Sequence, residues 1–183
     1  MCINIIDRIL SKNVFEKKRD FYLLALTALF TASKYEEIYP PDLSDFMNVC
    51  SVLFNKQEVL DYEMYMLREL DYEMYSIYPI TFLERYSMVI DPYNKELFYL
   101  AQFLLEYSLF NRGFGKIPSS LKAAGCLFSA FQMLNLQEKE KLFWDSTFMF
   151  YTGYTVKELR SVNDVIINYI TAEKHLDSLE VYA

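Results

Sequence analysis

Apolar residues recur at helical spacing along almost the whole chain, and no stretch alternates polar and apolar residues between hairpin turns. Two segments are apolar nearly all round: Phe21–Ala32 and Leu121–Leu134. A helix of that kind is surrounded by other helices, because it has no polar face to turn toward solvent. The pattern therefore predicts an all-α chain in which each of these two segments is a central, buried helix.

Start and stop signals divide this pattern into individual helices. Asn55 with Glu58, and Thr155 with Glu158, have the spacing of capping boxes, in which side chains satisfy amides that the first turn leaves unpaired. Only 4 Gly and 5 Pro interrupt the chain, which agrees with long helices. The predicted helices cover residues 2–12, 21–35, 41–51, 56–70, 79–90, 94–111, 118–135, 138–150 and 155–173.

A short internal repeat indicates that these helices form two similar units. Leu29–Ala32 reads LFTA and Leu127–Ala130 reads LFSA, about 98 residues later, each inside a predicted central helix. Four predicted helices precede Asp71 and five follow it, so the first unit is one helix short of the second. The link between the units has no flexible Gly/Ser tether. We expect two domains, residues 1–74 and 79–175, packed as one rigid body.

Composition and charge narrow the possible classes of function. With 53% hydrophobic residues, a chain of 183 residues can build a sizeable core. The net charge of −7 and the isoelectric point near 4.8 argue against nucleic acid as a direct partner. Affinity for phosphate backbones is carried largely by clustered lysine and arginine, whereas acidic residues outnumber basic ones here by 25 to 18.

Targeting signals and cysteine usage favour an intracellular protein. The longest apolar run is shorter than a membrane-spanning helix requires, so we expect no membrane partner. Asp7 and Arg8 lie where a secretory signal would have its apolar centre. Cys2, Cys50 and Cys126 are far apart and form neither a disulfide framework nor a metal-binding pattern. Reduced thiols inside the cell are the simplest interpretation.

The sequence contains no complete set of catalytic residues. The single histidine, His175, falls near the end of the last predicted helix, no Glu-x-x-His pair suits a di-metal site, and no Gly-rich phosphate loop follows a strand. Arg112–Lys116 contains two glycines, and a connection between helices explains them. The acidic residues between positions 36 and 45 lack the spacing of a calcium loop and indicate a solvated face. We expect no enzyme activity, no metal and no other cofactor.

One charged stretch, Ser33–Phe46 (SKYEEIYPPDLSDF), follows the first central helix. Lys34 is the last-turn cation that a helix C-terminus favours, and the two adjacent prolines stop one helix and start the next. Local geometry does not explain Tyr35, Tyr39 or the double glutamate, because a plain turn requires neither large aromatic side chains nor such dense charge.

This stretch resembles the cyclin box of mitotic cyclins, of A type and most of all of B type. The similar segments are LTALFTASKYEEIYPPDLSDF, NKQEVLDYEMYMLRELDY and the preceding NIIDRIL. In the second half, PITFLERY, LAQFLLEYSLF, IPSSLKAAGCLFSAFQML and YTGYTVKELRSVNDVI resemble successive helices of the C-terminal cyclin fold. The resemblance implies two cyclin-box repeats in tandem, the first truncated to about four helices.

The resemblance also implies a kinase-binding site in the first repeat. Lys34 and Glu63 match the residues that clamp the backbone beside the regulatory helix of a cyclin-dependent protein kinase. The positions that match residues receiving an apolar side chain of that helix are Tyr35, Leu67, Tyr72 and Met74. The positions that match residues facing the kinase activation segment are Glu36 and Ile38. Without the resemblance, an intramolecular salt bridge joining two helices is the simpler explanation of Lys34 and Glu63.

The chain departs from the family pattern near its N-terminus. It lacks a preceding helix with a Met-Arg-Ala-Ile-Leu type motif and a tryptophan, which line a groove for docking peptides of substrates. Phe21 and Tyr22 stand where that groove usually has Leu and Gln, so we regard them as its remnant. The given sequence also shows no long tail with a destruction box. We expect either that the true start lies upstream or that this is a reduced cyclin, whose core, lacking one helix, would expose apolar surface.

These observations lead to one functional hypothesis and two alternatives. The chain is expected to be a regulatory subunit that binds and activates a cyclin-dependent protein kinase, in the nucleus and cytoplasm, and thereby controls G2/M progression. The first alternative is a truncated binder that docks on the kinase without activating it. The second is a two-repeat transcription factor of the TFIIB type, which would require a basic face for DNA.

Overall fold

The computed structural model describes residues 1–50, 54–90, 94–134 and 144–180. Within these ranges every regular element is helical, which confirms the predicted all-α class. The chain divides into two compact units, Met1–Ser76 and Ile77–Ala183.

The first unit is organised around its second helix. Its helices are α1 (Cys2–Lys12), α2 (Lys18–Glu36), α3 (Leu43–Val49) and α4 (Lys56–Glu69). The other three helices all pack against α2. One buried cluster joins α2 to α1 and α4 and consists of Ile5, Ile9, Leu24, Ala28, Ala32, Met66 and Leu70. A second cluster joins α2 to α3 and the start of α4 and consists of Leu23, Leu26, Phe30, Leu43, Phe54 and Val59.

Helix α2 is buried along most of its length, but one of its faces is exposed. Phe21, Tyr22 and Leu29 of α2 are exposed. Tyr22 and Leu29 lie two turns apart on one side of the helix, because seven residues make nearly two turns. The described helices of the first unit therefore leave an apolar face of α2 uncovered, as expected for a unit with one helix fewer.

The second unit surrounds its central helix more completely. Its helices are α5 (Pro79–Ile90), α6 (Lys95–Tyr107), α7 (Ser119–Met133), α8 (Ser146–Thr152) and α9 (Val156–Glu180). Helix α7 packs against α5, α6 and α9. Every residue from Ala123 to Phe131 is buried. The prediction of a second central helix is thus confirmed.

The capping box predicted at Asn55 is present, and at Thr155 the structure shows the bonds from the cap residue to Glu158. The Asn55 side chain accepts a hydrogen bond from the Gln57 amide at 3.1 Å, and Glu58 accepts one from the Asn55 amide at 3.4 Å. At the start of α9, Glu158 accepts hydrogen bonds from the amide and the hydroxyl of Thr155 at 2.8 and 2.6 Å. These bonds lower the pKa of Glu158, because they stabilise its ionised form.

Several predicted helix ends differ from the structure where local hydrogen bonds compete with the helix. The segment predicted as helix 94–111 is helical only to Tyr107, after which two 3₁₀ turns follow, Ser108–Phe110 and Arg112–Lys116. The Asn111 side chain accepts a hydrogen bond from the Gly113 amide at 2.7 Å and so starts the second turn. That turn connects α6 to α7, as predicted for the glycine-containing loop.

Three other predicted boundaries also differ from the described helices. The helix predicted over 41–51 begins at Leu43, because Asp42 caps it in a box with Asp45. Helix α8 begins at Ser146 behind its cap Asp145, whereas the predicted start at residue 138 lies outside the described residues. The last helix, predicted to stop at residue 173, continues to Glu180.

A glycine permits the close contact between α7 and α9. A Cβ atom added to Gly125 would lie 2.4 Å from Cγ1 of Val162, which is closer than packed atoms approach. Gly125 therefore allows the close helix packing that the small residues of the predicted central helix indicated. The substitution Gly125→Ala tests this directly.

We expect Gly125→Ala to destabilise the chain. Overpacking costs about 1–3 kcal/mol, which exceeds the roughly 0.5–1 kcal/mol that alanine gains over glycine in a helix. Urea unfolding should show the loss, and Gly115→Ala, where an added Cβ meets nothing within 4 Å, should change little. Adding Val162→Ala should reduce the penalty of Gly125→Ala. Equal stability of the two alanine variants would contradict the close-contact explanation.

Candidate protein-binding site

Lys34 and Glu63 meet where the end of α2 packs against the middle of α4. Nζ of Lys34 lies 2.7 Å from each carboxylate oxygen of Glu63. The intramolecular salt bridge that the sequence suggested as an alternative is therefore formed in the free chain. Its presence does not remove a binding role, because an ion pair held at a surface still presents polar groups to a partner.

Two neighbouring side chains of α2 complete the ion pair. The hydroxyl of Thr31 donates to Oε1 of Glu63 at 2.7 Å, and Nζ of Lys34 lies 4.2 Å from the centroid of the Phe30 ring. The Glu63 side chain is only 10% exposed, whereas that of Lys34 is 39% exposed. A nearly buried carboxylate is tolerated when it is paired and hydrogen-bonded, as here. The pair is thus anchored on the glutamate side and open on the lysine side.

Sequence reasoning missed Thr31 and Phe30 as members of this site. Both precede Lys34 at helical spacing, by three and four residues, so all three lie on one side of α2. The signal in the sequence is a single hydroxyl residue inside the apolar run LFTA. It was interpreted as part of a repeat and not as the partner of a distant glutamate.

The turn after α2 presents apolar and acidic side chains to solvent. Tyr35 and Glu36 end the helix and are exposed, and Ile38 is 88% exposed. The Glu37 amide donates to the Ser33 carbonyl at 2.9 Å and closes the last turn. Ile38 lies outside both buried clusters of the first unit. So much exposed apolar surface beside carboxylates is typical of a surface that binds another protein.

The end of α4 positions the remaining predicted residues. Leu67 follows Glu63 by one helical turn and is half-buried. Asp71 and Tyr72 then adopt left-handed backbone conformations, with φ of 54° and 59°. The Tyr72 amide donates to the Leu67 carbonyl at 2.9 Å, and the Tyr72 side chain stays exposed. This turn keeps Tyr72 close in the fold to Leu67.

Met74 has a different environment from its predicted companions. It is half-buried and packs against the cluster that contains Met66 and Leu70. Burial there gives Met74 a structural role in the first unit. Its predicted contact with a partner stays a prediction.

Phe21 and Tyr22 lie near the start of α2, far along the helix from Lys34. Both are exposed, on the part of α2 that the described helices leave uncovered. Thirteen residues of helix separate Phe21 from Lys34, which corresponds to about 20 Å along the axis at 1.5 Å per residue. The structure thus keeps the predicted remnant groove separate from the ion pair.

The arrangement suits recognition of a protein main chain beside an apolar contact. A lysine ammonium has three N–H donors, and the two oxygens of Glu63 engage at most two of them. Main-chain carbonyls and amides are the same in every partner, so a fixed ion pair can recognise them independently of side chains. Tyr35, Leu67 and Tyr72 add apolar surface, which supplies affinity.

The described residues offer neither a metal site nor a membrane span. They contain no group of three or more His, Cys, Asp or Glu side chains arranged to hold a metal ion. Asp42 and Asp45 of the acidic stretch are engaged with each other's backbone in the α3 capping box. No helix within the described ranges has the length and hydrophobicity that crossing a membrane requires.

Comparison with protein families gives matches along both units. The family model for the cyclin N-terminal domain matches residues 1–75, and the model for the cyclin C-terminal domain matches residues 77–182. The two matched regions meet at the division between the compact units.

Individual relatives also match this chain over most of its length. G2/mitotic-specific cyclin-B1 of Oryzias luzonensis is 35% identical over 162 residues, covering 88% of this chain and 39% of the relative. G2/mitotic-specific cyclin-B of Emericella nidulans is 34% identical over 170 residues, covering 93% of this chain and 34% of the relative. G2/mitotic-specific cyclin cig1 of Schizosaccharomyces pombe is 32% identical over 180 residues, covering 98% and 42%. The chain thus spans less than half the length of these curated relatives.

We expect Glu63→Ala to destabilise the free chain, because it leaves the Thr31 hydroxyl and the Lys34 ammonium without their acceptor. The loss should be about 1–3 kcal/mol in urea unfolding. Glu63→Gln keeps one carbonyl acceptor and should lose less. Arg19→Ala, which breaks the exposed ion pair between Arg19 and Glu58 (2.6 Å), should have a smaller effect than Glu63→Ala. If Glu63→Ala were the milder change, the anchoring role of the carboxylate would be wrong.

Proposed function

The chain belongs to the cyclin family, and on that premise we propose that it binds a cyclin-dependent protein kinase and activates it to control G2/M progression. The names of the matched relatives, G2/mitotic-specific cyclins, support this proposal. The chain spans only part of those proteins, so support for the partner and the activity must come from its own residues.

The Lys34–Glu63 ion pair beside exposed apolar surface is the observation that carries the proposal. The carboxylate is fixed by Thr31 and Lys34, so little conformational entropy is lost when a partner binds. The ammonium remains partly exposed and can donate to a main-chain carbonyl of the kinase. In this proposal the pair holds the backbone that flanks the kinase regulatory helix.

The surrounding residues divide between two parts of the kinase. Four of them receive an apolar side chain of the regulatory helix: Tyr35, Leu67, Tyr72 and Met74. Two face the activation segment: Glu36 and Ile38. The exposure of Tyr35, Tyr72 and Ile38 supports their place in an interface, since an interface residue must be accessible before the partner arrives.

Activation follows from the chemistry of the kinase. Before phosphoryl transfer, the catalytic lysine of a protein kinase must pair with a glutamate of its regulatory helix, and the activation loop must be correctly placed. A regulatory subunit favours this state only by binding it more tightly than the inactive state. Moving a kinase from 1% to 99% active requires about a 10⁴-fold preference. The cyclin supplies binding energy, and the kinase performs the catalysis.

The proposal extends to location and to excluded partners. We place the chain in the nucleus and cytoplasm, where its kinase would act, with no nucleic acid as a direct partner. The net charge of −7 supports the second point. The free thiols of Cys2, Cys50 and Cys126 are consistent with a reducing compartment.

Titration of the purified chain into a mitotic cyclin-dependent kinase tests the proposal. Binding and phosphorylation of a generic substrate are followed together. We expect tight binding with activation, and loss of both in Glu63→Ala. Because that variant also affects stability, Ile38→Asp is the sharper test: it should weaken binding about tenfold or more without lowering the unfolding temperature.

Val49→Asp is the matched control for Ile38→Asp, since Val49 is 89% exposed and Ile38 is 88% exposed. It should leave binding and activation unchanged. Binding without activation would favour the non-activating binder. Absence of kinase binding, together with salt-dependent affinity for duplex DNA, would favour the TFIIB-type alternative.

A further inference from the structure

The chain leaves α4 through an unusual turn, residues 70–73, which we call the Tyr72 turn. The Glu73 amide donates to the Leu70 carbonyl at 3.0 Å and closes it. Its two central residues, Asp71 and Tyr72, have φ of 54° and 59°, and in the described ranges they are the only non-glycine residues with positive φ. Tyrosine is uncommon in this left-handed region, because its Cβ atom crowds a neighbouring carbonyl oxygen. The Tyr72 turn therefore carries backbone strain.

The main chain of the Tyr72 turn ends α4 in a pattern that normally uses glycine. The Asp71 amide donates to the Arg68 carbonyl at 2.9 Å. The Tyr72 amide donates to the Leu67 carbonyl, also at 2.9 Å. Helices with this pair of bonds usually have glycine as the first left-handed residue, because glycine adopts the conformation without steric cost. Asp71 occupies that position here, so another contact is needed to hold the turn.

Two basic side chains of α1 donate hydrogen bonds to the end of α4 and to the Tyr72 turn. Arg8 donates from one guanidinium nitrogen to the Glu73 carbonyl at 2.6 Å, and from the other to the Leu70 carbonyl at 3.4 Å. One helical turn further along α1, Lys12 donates to the Glu69 carbonyl. Cations are favoured at a helix C-terminus, where carbonyl groups lack partners within the helix. Arg8 thus connects the first and last residues of the Tyr72 turn.

The position of the Tyr72 side chain depends on this turn. The side chain is 59% exposed and belongs to neither core cluster of the first unit, so packing in the core does not fix it. Strained backbone persists where surrounding contacts hold it, and it is concentrated at functional sites. The Tyr72 turn has both features, since Arg8 supplies the contact and Tyr72 is one of the residues assigned to the kinase.

We propose that Arg8 is a positioning residue for kinase binding, because it holds the strained turn that places Tyr72 next to Leu67. The inference rests on the proposed function, since it concerns the apolar part of the proposed kinase site. Arg8 acts through the turn and requires no contact with the kinase. A turn that is fixed in the free chain reduces the conformational entropy lost when the partner binds.

Arg8→Met in the full chain tests the proposal, because it keeps an unbranched side chain and removes the donors. Titrated into a mitotic cyclin-dependent kinase, this variant should bind about threefold to tenfold more weakly than the unsubstituted chain. Arg8→Lys, which keeps the charge and one donor direction, should lose less affinity. Arg19→Met is the matched control, since Arg19 also joins two helices through a double contact, to Glu58 at 2.6 and 2.9 Å. It should leave the affinity unchanged.

The results separate this proposal from the proposed function. Unchanged affinity in Arg8→Met, or equal losses in Arg8→Met and Arg19→Met, would overturn the positioning role while kinase binding itself stands. Absence of binding by the unsubstituted chain would overturn the proposed function, and the positioning role with it.

A double-mutant cycle shows whether Arg8 acts through Tyr72. Tyr72→Ala removes the ring that the turn is proposed to place. In the Tyr72→Ala background, Arg8→Met should weaken binding by less than about twofold, because the two substitutions remove the same contact. Equal fold-losses with and without the Tyr72 ring would assign Arg8 a general structural role and contradict the proposal.

Amide exchange of the free chain, measured by NMR, tests the hold of Arg8 on the turn without the kinase. The amides of Tyr72 and Glu73 both donate hydrogen bonds to main-chain carbonyls. Their exchange should be about threefold or more faster in Arg8→Met than in Arg19→Met, at a temperature where both variants are folded. Equal exchange in the two variants would show that Arg8 does not hold the Tyr72 turn, and the proposal would be wrong.

Discussion

Each unit depends on burying one apolar helix among its neighbours. Helices α2 and α7 have no continuous polar face, so neither can be stable unless other helices cover it. In α7 the cover is continuous, and it requires Gly125 for the approach of α9. In α2 the cover is partial, because the side that carries Tyr22 and Leu29 remains exposed. The need to cover an apolar helix thus determines how the helices of both units are arranged. The units differ in how much of that central helix is covered.

The candidate kinase site is a consequence of this packing. Helix α2 ends at the surface, and its last turn carries Lys34, while α4 is held against α2 by buried residues such as Met66. These fixed helices bring Glu63 within reach of both Thr31 and Lys34. A polar pair built on two rigid helices keeps its geometry before a partner binds, which reduces the entropy lost on association. A charge pair on flexible loops would lose more conformational entropy each time a partner binds.

Sequence patterns predicted the helices and helix starts that residues a few positions apart determine. The two apolar runs identified the central helices, and the Asn55–Glu58 spacing identified the start of α4, because each of these effects acts within a few residues. The early end of α6 at Tyr107 was missed, since the Asn111 side chain starts a 3₁₀ turn that competes with the helix. The salt bridge between Lys34 and Glu63 was anticipated, but the Thr31 hydroxyl was not, because a single polar residue in an apolar run does not identify its partner. The roles of Tyr35, Glu36 and Ile38 rest on family resemblance, since no intramolecular geometry defines a contact with an absent protein.

The central claim is that the surface formed by the ends of α2 and α4 binds the kinase. Hydrogen–deuterium exchange of the chain alone and saturated with a mitotic cyclin-dependent kinase tests it most directly, because exchange reports each segment without any substitution. The account predicts slower exchange in peptides covering residues 34–39 and 67–75 when the kinase is bound. Unchanged exchange in both segments, with slower exchange elsewhere in the saturated chain, would contradict it.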